Sequence, residues 1–140
     1  MEAESQTQSQ TSINSATDIV TARQRGRALA LELGFNGADV TLIAAAISEV
    51  ARNIVDHAKN GEILMAPLQN GHSSSRLGIQ IIARDQGPGI RDVAQAMQYG
   101  YSTRKGLGVG LPGAKWLMDE FDIASEVGRG TTITMRKWKR

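Results

Sequence analysis

Residues 39–58 constrain the fold more than any other stretch of the sequence. Apolar side chains recur there at helical spacing and form a single stripe: Ile43, Ala46, Ile47, Val50, Ile54 and Ala58. Such a stripe is typical of an amphipathic helix with one buried face. We therefore predict a long helix over this segment, ended by Gly61.

Shorter periodic segments surround this helix. Further helices are predicted at residues 18–33, 92–99 and 111–120. Strands are predicted at residues 62–69, 77–85, 121–127 and 131–138. The chain thus runs through two helices, two strands, a glycine-rich loop, one helix and two strands. This order predicts an α+β fold, a two-layer α/β sandwich.

Length and local composition indicate one domain with a polar extension. The 140 residues suit a single compact unit. Residues 1–12 are rich in Ser, Gln, Thr and Glu, and they bury too little apolar surface to offset the entropy lost on ordering. We expect residues 1–12 to form a disordered polar tail and residues 13–140 to form the domain. An edge strand near Ile13 is compatible with this division.

Charge and composition exclude several functions. The formal net charge of +2 does not indicate a nucleic-acid partner, and the basic residues 136–140 are typical of a solvated end or an edge strand. The absence of cysteine excludes disulfides and thiolate metal sites. No apolar run is long enough for a membrane span, and the polar N-terminus is unlike a signal peptide. We expect a cytoplasmic protein without a membrane partner.

Glu49 and Asn53 are four residues apart on the predicted helix 39–58, so they share one face. They flank the apolar stripe. A polar pair at this place is common at a solvated helix edge, and these two residues alone do not distinguish an edge from a site. His57 follows one turn later, where a structural role and a nucleotide contact are both open.

Asp85 ends the apolar strand 77–85 and begins a glycine-rich turn that contains Gly87 and Gly89. A carboxylate at the end of a buried strand is costly unless a donor binds it, and an adenine amino group is such a donor. The glycines lack a Cβ atom, which lets a flat ring approach the backbone. An aspartate that merely starts a tight turn is the alternative.

Gly106, Gly108 and Gly110 precede the predicted helix 111–120. Backbone N–H groups of such glycines can point at phosphate oxygens, helped by the positive potential of a helix N-terminus. Residues 108–113 also fit the dinucleotide pattern G-x-G-x-x-G. That site is excluded because a loop precedes the pattern and no acidic residue follows about 20 positions later. Walker A and the motifs of ordinary protein kinases are absent.

Taken in order, these features resemble the four boxes of the GHKL ATPase and kinase superfamily, which has the Bergerat fold. The boxes are Glu49-x-x-x-Asn53, Asp85-x-Gly87-x-Gly89, Gly106-x-Gly108-x-Gly110 and Gly128-x-Gly130-Thr131. They cover nearly the whole chain after the tail. Within the superfamily the sequence is most similar to the RsbT-type serine/threonine kinases, which are stressosome switch kinases, and to the anti-sigma factor kinases. The closer similarity lies in residues 47–54, 85–90, 100–108 and 117–121.

This resemblance implies the architecture and the main catalytic roles. It implies a mixed, mostly antiparallel sheet with helices on one face. Asn53 is expected to bind Mg²⁺ through its amide oxygen, and Glu49 is expected to be the general base. Asp85 is expected to bind the adenine amino group of ATP, with Thr131 assisting through water.

The resemblance also assigns residues to the base pocket and the phosphates. Gly87 and Gly89 are expected to shape the base pocket. The expected phosphate-binding residues lie in a short lid and in the loop after it: Arg104, Lys105, Gly106, Gly108 and Gly110. The two basic lid residues would offset charge on the transferred phosphoryl group.

The implied function is transfer of the γ-phosphate of ATP to a serine or threonine of a STAS-domain antagonist or scaffold protein. On release, the kinase would activate an output protein such as a PP2C-type phosphatase. The alternative from another class is a non-catalytic, nucleotide-gated module that sequesters a partner, as anti-sigma factors do. A free ATPase in which Glu49 activates water is a weaker reading because the chain has no room for a transducer domain. A histidine-kinase catalytic domain fits residues 49–53 less well.

Overall fold

The computed structural model describes residues 9–69, 76–97 and 110–140. The strands are β1 (Ser9–Ile13), β2 (Gly61–Gln69), β3 (Leu77–Asp85), β4 (Glu120–Glu126) and β5 (Gly130–Trp138). The α-helices are α1 (Ala16–Glu32), α2 (Gly37–Asn53), α3 (Val93–Ala96) and α4 (Gly110–Leu117). A π-helical turn, Ile54–Ala58, continues α2 without a break. No helix within these ranges is both long and apolar enough to cross a membrane.

The five strands form one sheet in the order β1-β2-β3-β5-β4. Every neighbouring pair is antiparallel, whereas we expected a mixed sheet. The difference follows from the connections. Hairpins join β2 to β3 and β4 to β5, and β5 then pairs antiparallel with β3. The predicted α+β architecture is confirmed.

The two faces of the sheet have different roles because successive side chains of a strand point to opposite sides. Side chains on one face of the sheet pack against α1 and α2 and form the core with them. The central strands contribute Ile63, Met65, Ile79, Ile81, Ile133 and Met135. On the other face, charged side chains pair across strands, as Arg84 Nε does with Glu62 Oε2 at 2.6 Å. The helices therefore cover one face, as expected.

The edge strand β1 begins closer to the N-terminus than we predicted. Ser9 pairs with Met65, so residues 9–12, which we placed in the tail, belong to a strand. Arg25 of α1 stabilises this edge, because its guanidinium donates to the Gln10 carbonyl oxygen at 3.1 Å and to Thr11 Oγ1 at 2.9 Å. Residues 1–8 lie outside the described ranges.

Helices α1 and α2 pack in close contact. A Cβ atom on Gly26 of α1 would lie 2.1 Å from Ile47 Cδ1 of α2, so a larger residue at position 26 would require the Ile47 side chain to shift. Both N-termini begin before the predicted positions. Ser15 is the N-cap of α1, and Asn36 Oδ1 accepts the Asp39 N–H at 2.8 Å to cap α2.

The end of α2 departs from the prediction in its backbone. Residues 54–58 form a π-helical turn, in which the Lys59 N–H donates to the Ile54 carbonyl oxygen at 2.8 Å. Lys59, with a φ of +78° and a ψ of −43°, leaves the helical conformation and ends the helix. Gly61, which we expected in that role, is instead the first residue of β2. Its small size matters for another reason, described below.

Helix α4 ends at Leu117, three residues before the predicted limit at position 120. Asp119 leaves the helix because its N–H donates to the Arg136 carbonyl oxygen at 3.0 Å and its carboxylate accepts the Trp138 N–H at 2.8 Å. The buried Lys137 side chain donates to the Leu117 carbonyl oxygen at 2.9 Å. A cation therefore stabilises the negative end of α4 and fixes this helix to β5.

Candidate functional site

A cavity of about 470 Å³ lies between the end of α2, the loop after β3 and the start of α4. Its volume falls in the range usual for small-molecule sites. The side chains and backbone that line it are Glu49, Arg52, Asn53, Asp56, His57, Pro88, Gly89, Ile90, Arg91, Asp92, Ala96, Gly110 and Leu111. Three of the four sequence boxes therefore contribute to one cavity.

Glu49 is held in the cavity wall by contacts with both of its carboxylate oxygens. Oε1 accepts the Gly110 N–H, at the first residue of α4, at 3.1 Å. Oε2 accepts from the Arg52 guanidinium at 3.3 Å. The Glu49 side chain is only 12% exposed. A carboxylate has about four lone-pair positions, so acceptor capacity remains for a ligand in the cavity.

Asn53 lies one turn beyond Glu49, and the two side chains line the same cavity, as the helical spacing predicted. Asp56 joins them, although the sequence analysis did not single it out. The spacing i, i+4, i+7 from Glu49 was the available signal for Asp56. His57 also lines the cavity and is exposed. The π-helical turn widens the helix at Asp56 and His57, and such turns are frequent at functional sites.

The acidic and amide groups of the cavity fit a magnesium ion that is bound mainly by other ligands. Within residues 9–69, 76–97 and 110–140 no three His, Cys, Asp or Glu side chains converge to hold a metal ion. Mg²⁺ takes oxygen ligands and usually keeps several waters or substrate phosphates, with one or two protein groups. The Asn53 amide oxygen, in the cavity wall beside Glu49, suits this kind of binding.

A second group of site residues forms a row across the end of the sheet. The register aligns Gly61 of β2 with Asp85 of β3, Asp85 with Thr131 of β5, and Thr131 with Ser125 of β4. Directly opposite residues of an antiparallel pair place their side chains on the same face. Asp85 and Thr131 are 8% and 5% exposed, and neither is among the residues that line the cavity.

Small residues beside Asp85 leave room for its carboxylate. Asp85 Oδ1 accepts the Gly87 N–H at 2.8 Å, as in an aspartate turn. On the adjacent strand, a Cβ atom on Gly61 would lie 2.6 Å from the Arg84 carbonyl oxygen and 3.0 Å from Asp85 Cβ and from Ile54 Cγ2. Gly61 therefore belongs to the site, and no pattern in a single sequence indicated this, because the need for glycine arises from the pairing with Asp85.

The glycines near Asp85 are required by packing of the chain itself. A Cβ atom on Gly87 would lie 2.5 Å from Ala58 Cβ, and one on Gly130 would lie 2.0 Å from the Asp85 carbonyl oxygen. Gly89 has a φ of +80°, and a Cβ atom there would lie 2.4 Å from the Glu126 carbonyl oxygen. The loop after β3 thus packs tightly against the β4–β5 turn. The role of Gly87 and Gly89 in shaping a base pocket stays a prediction.

Ser125 connects this loop to Thr131 and was missed by the sequence analysis. Its Oγ accepts the Ile90 N–H at 2.7 Å and lies 2.8 Å from Thr131 Oγ1. Only its position six residues before Thr131, across a predicted turn, indicated proximity. A lone serine on an exposed strand carries no signal of function.

Four of the predicted phosphate-binding residues lie outside the described ranges: Arg104, Lys105, Gly106 and Gly108. Their roles stay predictions. Gly110 is described, has a φ of +69°, and presents its N–H to the cavity through the contact with Glu49. Two further basic residues, Arg52 and Arg91, line the cavity and had not been singled out.

Comparison with known proteins agrees with this geometry. A family model described as the histidine kinase-like ATPase domain matches residues 14–137. The chain is 50% identical over 123 residues to the serine/threonine-protein kinase RsbT of Bacillus subtilis (strain 168), an overlap that covers 88% of this chain and 90% of that protein. It is 30% identical over 120 residues to the anti-sigma F factor of Thermoanaerobacter sp. (strain X514), covering 84% and 82%.

A solved structure shares the fold. The crystal structure of the RsbU and RsbW domains of Rv1364c from Mycobacterium tuberculosis superposes with a TM-score of 0.62 at 22% identity. The match covers 96% of this chain and 33% of that longer chain. It therefore supports the architecture described above and carries no argument about activity.

Proposed function

The chain belongs to the histidine kinase-like ATPase domain family, and we propose that it transfers the γ-phosphate of ATP to a serine or threonine of a partner protein. Its 50% identity with a serine/threonine-protein kinase, over most of both chains, assigns it to that class of enzyme. The site geometry supports specific roles for its residues, and the relatives support a class of partner.

One observation carries the catalytic part of the proposal. Glu49 lies in the wall of a cavity of about 470 Å³, and the Gly110 N–H and the Arg52 guanidinium hold its carboxylate in place. A carboxylate fixed by two donors, with lone pairs left over, can accept a proton from a hydroxyl that enters the cavity.

The proposed step is an in-line phosphoryl transfer. The hydroxyl oxygen of the partner's serine or threonine forms a bond to the γ-phosphorus of ATP, while the bond from that phosphorus to the β–γ bridging oxygen breaks. Glu49 accepts the hydroxyl proton, and ADP leaves. Most of the acceleration in such reactions comes from positioning and from stabilised charge. The predicted lid residues Arg104 and Lys105 are suited to phosphate oxygens, whereas the Gly110 N–H already donates to Glu49.

We propose that Asn53 binds Mg²⁺ together with phosphate oxygens and water. The metal would supply charge neutralisation for the transferred phosphate. Support comes from the position of Asn53 beside Glu49 and Asp56 in the cavity wall. Asp56 is exposed and lines the same cavity, and it would hold a water molecule of the metal's coordination shell.

We propose that the row at the sheet end recognises the adenine base. Asp85 would accept a hydrogen bond from the adenine amino group, and the Thr131 hydroxyl would assist through water. The support is their burial and their direct pairing across β3 and β5. A buried carboxylate with one bond from Gly87 retains acceptor capacity for a second donor.

The proposed substrate is a STAS-domain antagonist or scaffold protein, and the proposed output of the released kinase is a PP2C-type phosphatase. This follows from the resemblance to RsbT-type switch kinases and from the 50% identity with the Bacillus subtilis RsbT protein. The overlap covers 88% of this chain and is therefore not confined to the nucleotide site.

A second candidate function is a nucleotide-gated module that sequesters a partner without turnover. The 30% identity with an anti-sigma F factor, over 84% of this chain, favours it. The two functions differ in their need for Glu49. Replacing this residue removes the proton acceptor of the kinase but leaves the surfaces of a binding module intact.

The test is transfer of label from [γ-³²P]ATP to STAS-domain proteins encoded beside this chain, followed by phosphoamino-acid analysis. The kinase proposal predicts labelled serine or threonine with the wild-type protein and none with Glu49→Ala. Glu32→Ala, at the exposed end of α1, is the matched control and should retain activity. ATP binding without any transfer, together with a stable complex in both variants, would favour the binding module instead.

A further inference from the structure

Ser125 is the point at which three parts of the nucleotide end of the sheet meet. Its hydroxyl oxygen accepts the Ile90 N–H, from the loop after β3, at 2.7 Å. It lies 2.8 Å from Thr131 Oγ1 and 3.2 Å from the Gly130 carbonyl oxygen, both on β5. Ser125 itself is on β4 and half-buried. One side chain therefore joins the loop, the turn and the strand that surround Asp85.

A count of protons limits the direction of these hydrogen bonds. A serine hydroxyl has one proton and two lone pairs, and an amide N–H can only donate. Ile90 therefore occupies one lone pair of Ser125. The Ser125 proton can go to Thr131 or to the Gly130 carbonyl. The 2.8 Å contact with Thr131 has the usual length of an O–H···O bond whichever hydroxyl donates, and the 3.2 Å distance from Ser125 to the Gly130 carbonyl oxygen is longer than usual. Two arrangements therefore fit: in the first, Thr131 donates to Ser125 and Ser125 donates to Gly130; in the second, Ser125 donates to Thr131.

The second arrangement gives a chain of donors that runs from backbone to side chain. The Ile90 N–H donates to Ser125, and Ser125 donates to Thr131. The Thr131 proton is then free to donate to a ligand. Consecutive bonds in one direction polarise and strengthen one another. In this arrangement Thr131 presents a donor directly beside Asp85, which presents an acceptor, on the same face of the sheet.

A donor next to an acceptor is the complement of one edge of adenine. That edge carries the 6-amino group, which donates, and N1, which accepts. We propose that Ser125 is a specificity-determining positioning residue, which fixes the Thr131 hydroxyl as the donor to adenine N1, directly or through water. The inference rests on the proposed adenine site at Asp85 and extends it, because Ser125 acts through Thr131 and need not touch the base.

The discriminating ligand is 1-deaza-ATP, in which a C–H group replaces N1 while the 6-amino group remains. Wild-type protein should bind ATP more tightly than 1-deaza-ATP by roughly three- to tenfold, the effect of one neutral hydrogen bond. In Ser125→Ala this preference should fall to about one, because ATP loses affinity and 1-deaza-ATP does not. Affinities are measured by displacement of a fluorescent ADP analogue or by calorimetry.

Two variants separate positioning from a general loss of structure. Ser125→Thr keeps the hydroxyl and should restore the preference for ATP. Thr132→Val removes a hydroxyl from the neighbouring residue, whose side chain lies on the opposite face, and should leave the preference unchanged. If Ser125→Ala does not fold by circular dichroism, Ser125→Cys keeps the side-chain size with a much weaker donor and carries the same expectation.

The outcomes distinguish this inference from the function on which it rests. An unchanged preference in Ser125→Ala, or an equal loss of affinity for both nucleotides, would overturn the role of Ser125. Wild-type protein that binds ATP and 1-deaza-ATP equally would overturn the Thr131 contact with N1. Wild-type protein that binds neither nucleotide would contradict the proposed ATP site itself.

Discussion

The carboxylate of Glu49 accepts the backbone N–H of Gly110 at 3.1 Å, which joins the end of α2 to the first residue of α4. The two residues are 61 positions apart in the chain. This bond places a candidate general base at a helix N-terminus, where N–H groups lack intrahelical partners and favour negative charge. It also shows how two sequence boxes that are remote from each other form one site.

The Glu49–Gly110 bond should be visible in the stability of the protein. Glu49→Ala leaves the Gly110 N–H and the Arg52 guanidinium without this acceptor, whereas Glu49→Gln keeps an amide oxygen at the same place. We expect the alanine variant to lose about 1 to 2 kcal/mol of unfolding free energy relative to the glutamine variant. Urea denaturation of both variants checks this. Equal stabilities would show that the contact contributes nothing to the fold.

Asp85→Asn should weaken ATP binding. In the wild type the Gly87 N–H donates to one carboxylate oxygen at 2.8 Å, which leaves the other for adenine. The asparagine amide has only one accepting oxygen and no charge, so the adenine amino group loses its charged acceptor. Bonds to charged groups are the stronger ones, and we expect affinity to fall roughly ten- to hundredfold by calorimetry. Asp122→Asn, on the exposed side of β4, is the control. An affinity within about twofold of wild type would rule out Asp85 as the base-binding carboxylate.

Two glycines of the β4–β5 turn should respond very differently to alanine. Gly130 has a φ of +117°, and its Cβ would lie 2.0 Å from the Asp85 carbonyl oxygen. Gly128 has a φ of +85°, but its Cβ would meet nothing within 4 Å. We expect Gly128→Ala to cost about 1 kcal/mol through backbone strain and Gly130→Ala more than about 3 kcal/mol through strain plus overlap. Chemical denaturation measures both losses of stability. A larger loss in Gly128→Ala than in Gly130→Ala would contradict this prediction.

Asp119 should make the protein less stable in acid. Burial raises the pKa of this carboxyl, but the Trp138 N–H and the Arg140 guanidinium outweigh burial and hold its pKa below the ordinary value of 3.8. A carboxyl with a depressed folded-state pKa stabilises the fold above its unfolded pKa. That contribution is lost as pH falls through the lower, folded-state pKa.

The measurement for Asp119 compares wild type with Asp119→Asn by urea denaturation at several pH values. The wild type should be the more stable protein at pH 7, and its advantage should shrink steadily below about pH 4. Arg140→Ala removes one of the partners of Asp119. The difference in stability between Arg140→Ala and the double variant Arg140→Ala/Asp119→Asn should therefore be smaller than the difference between wild type and Asp119→Asn. A stability difference that does not change with pH would contradict the assigned interactions of Asp119.

Most elements could be predicted because apolar residues repeat with a clear period. β3 has the predicted limits, Leu77–Asp85, since an apolar segment interrupted only by Gln80 leads to a charged end. The π-helical turn could not be predicted, because Ile54 and Ala58 are spaced as in an ordinary α-helix. β1 has almost no apolar residues, and its strand depends on pairing with β2 and on Arg25, which is a non-local interaction.

The site could be predicted only where its residues repeat along one element or belong to a recognisable motif. Glu49 and Asn53 share a helix face, so their proximity follows from spacing alone. Gly61 and Ser125 enter the site through strand pairing with Asp85 and Thr131, and the register of a sheet is not written in any local pattern. Asp56 is the intermediate case, since the i+7 spacing was there to be used.

The central claim is that Glu49 accepts the proton of the phosphorylated hydroxyl, and the transfer rate of Glu49→Gln tests it most directly. Single-turnover transfer to a STAS-domain substrate is measured at saturating Mg·ATP, with ATP affinity determined on the same samples and Glu32→Gln as the control. We expect the rate to fall by about 10²- to 10⁴-fold while ATP affinity stays within about threefold of wild type. Transfer by Glu49→Gln at close to the wild-type rate would contradict this account.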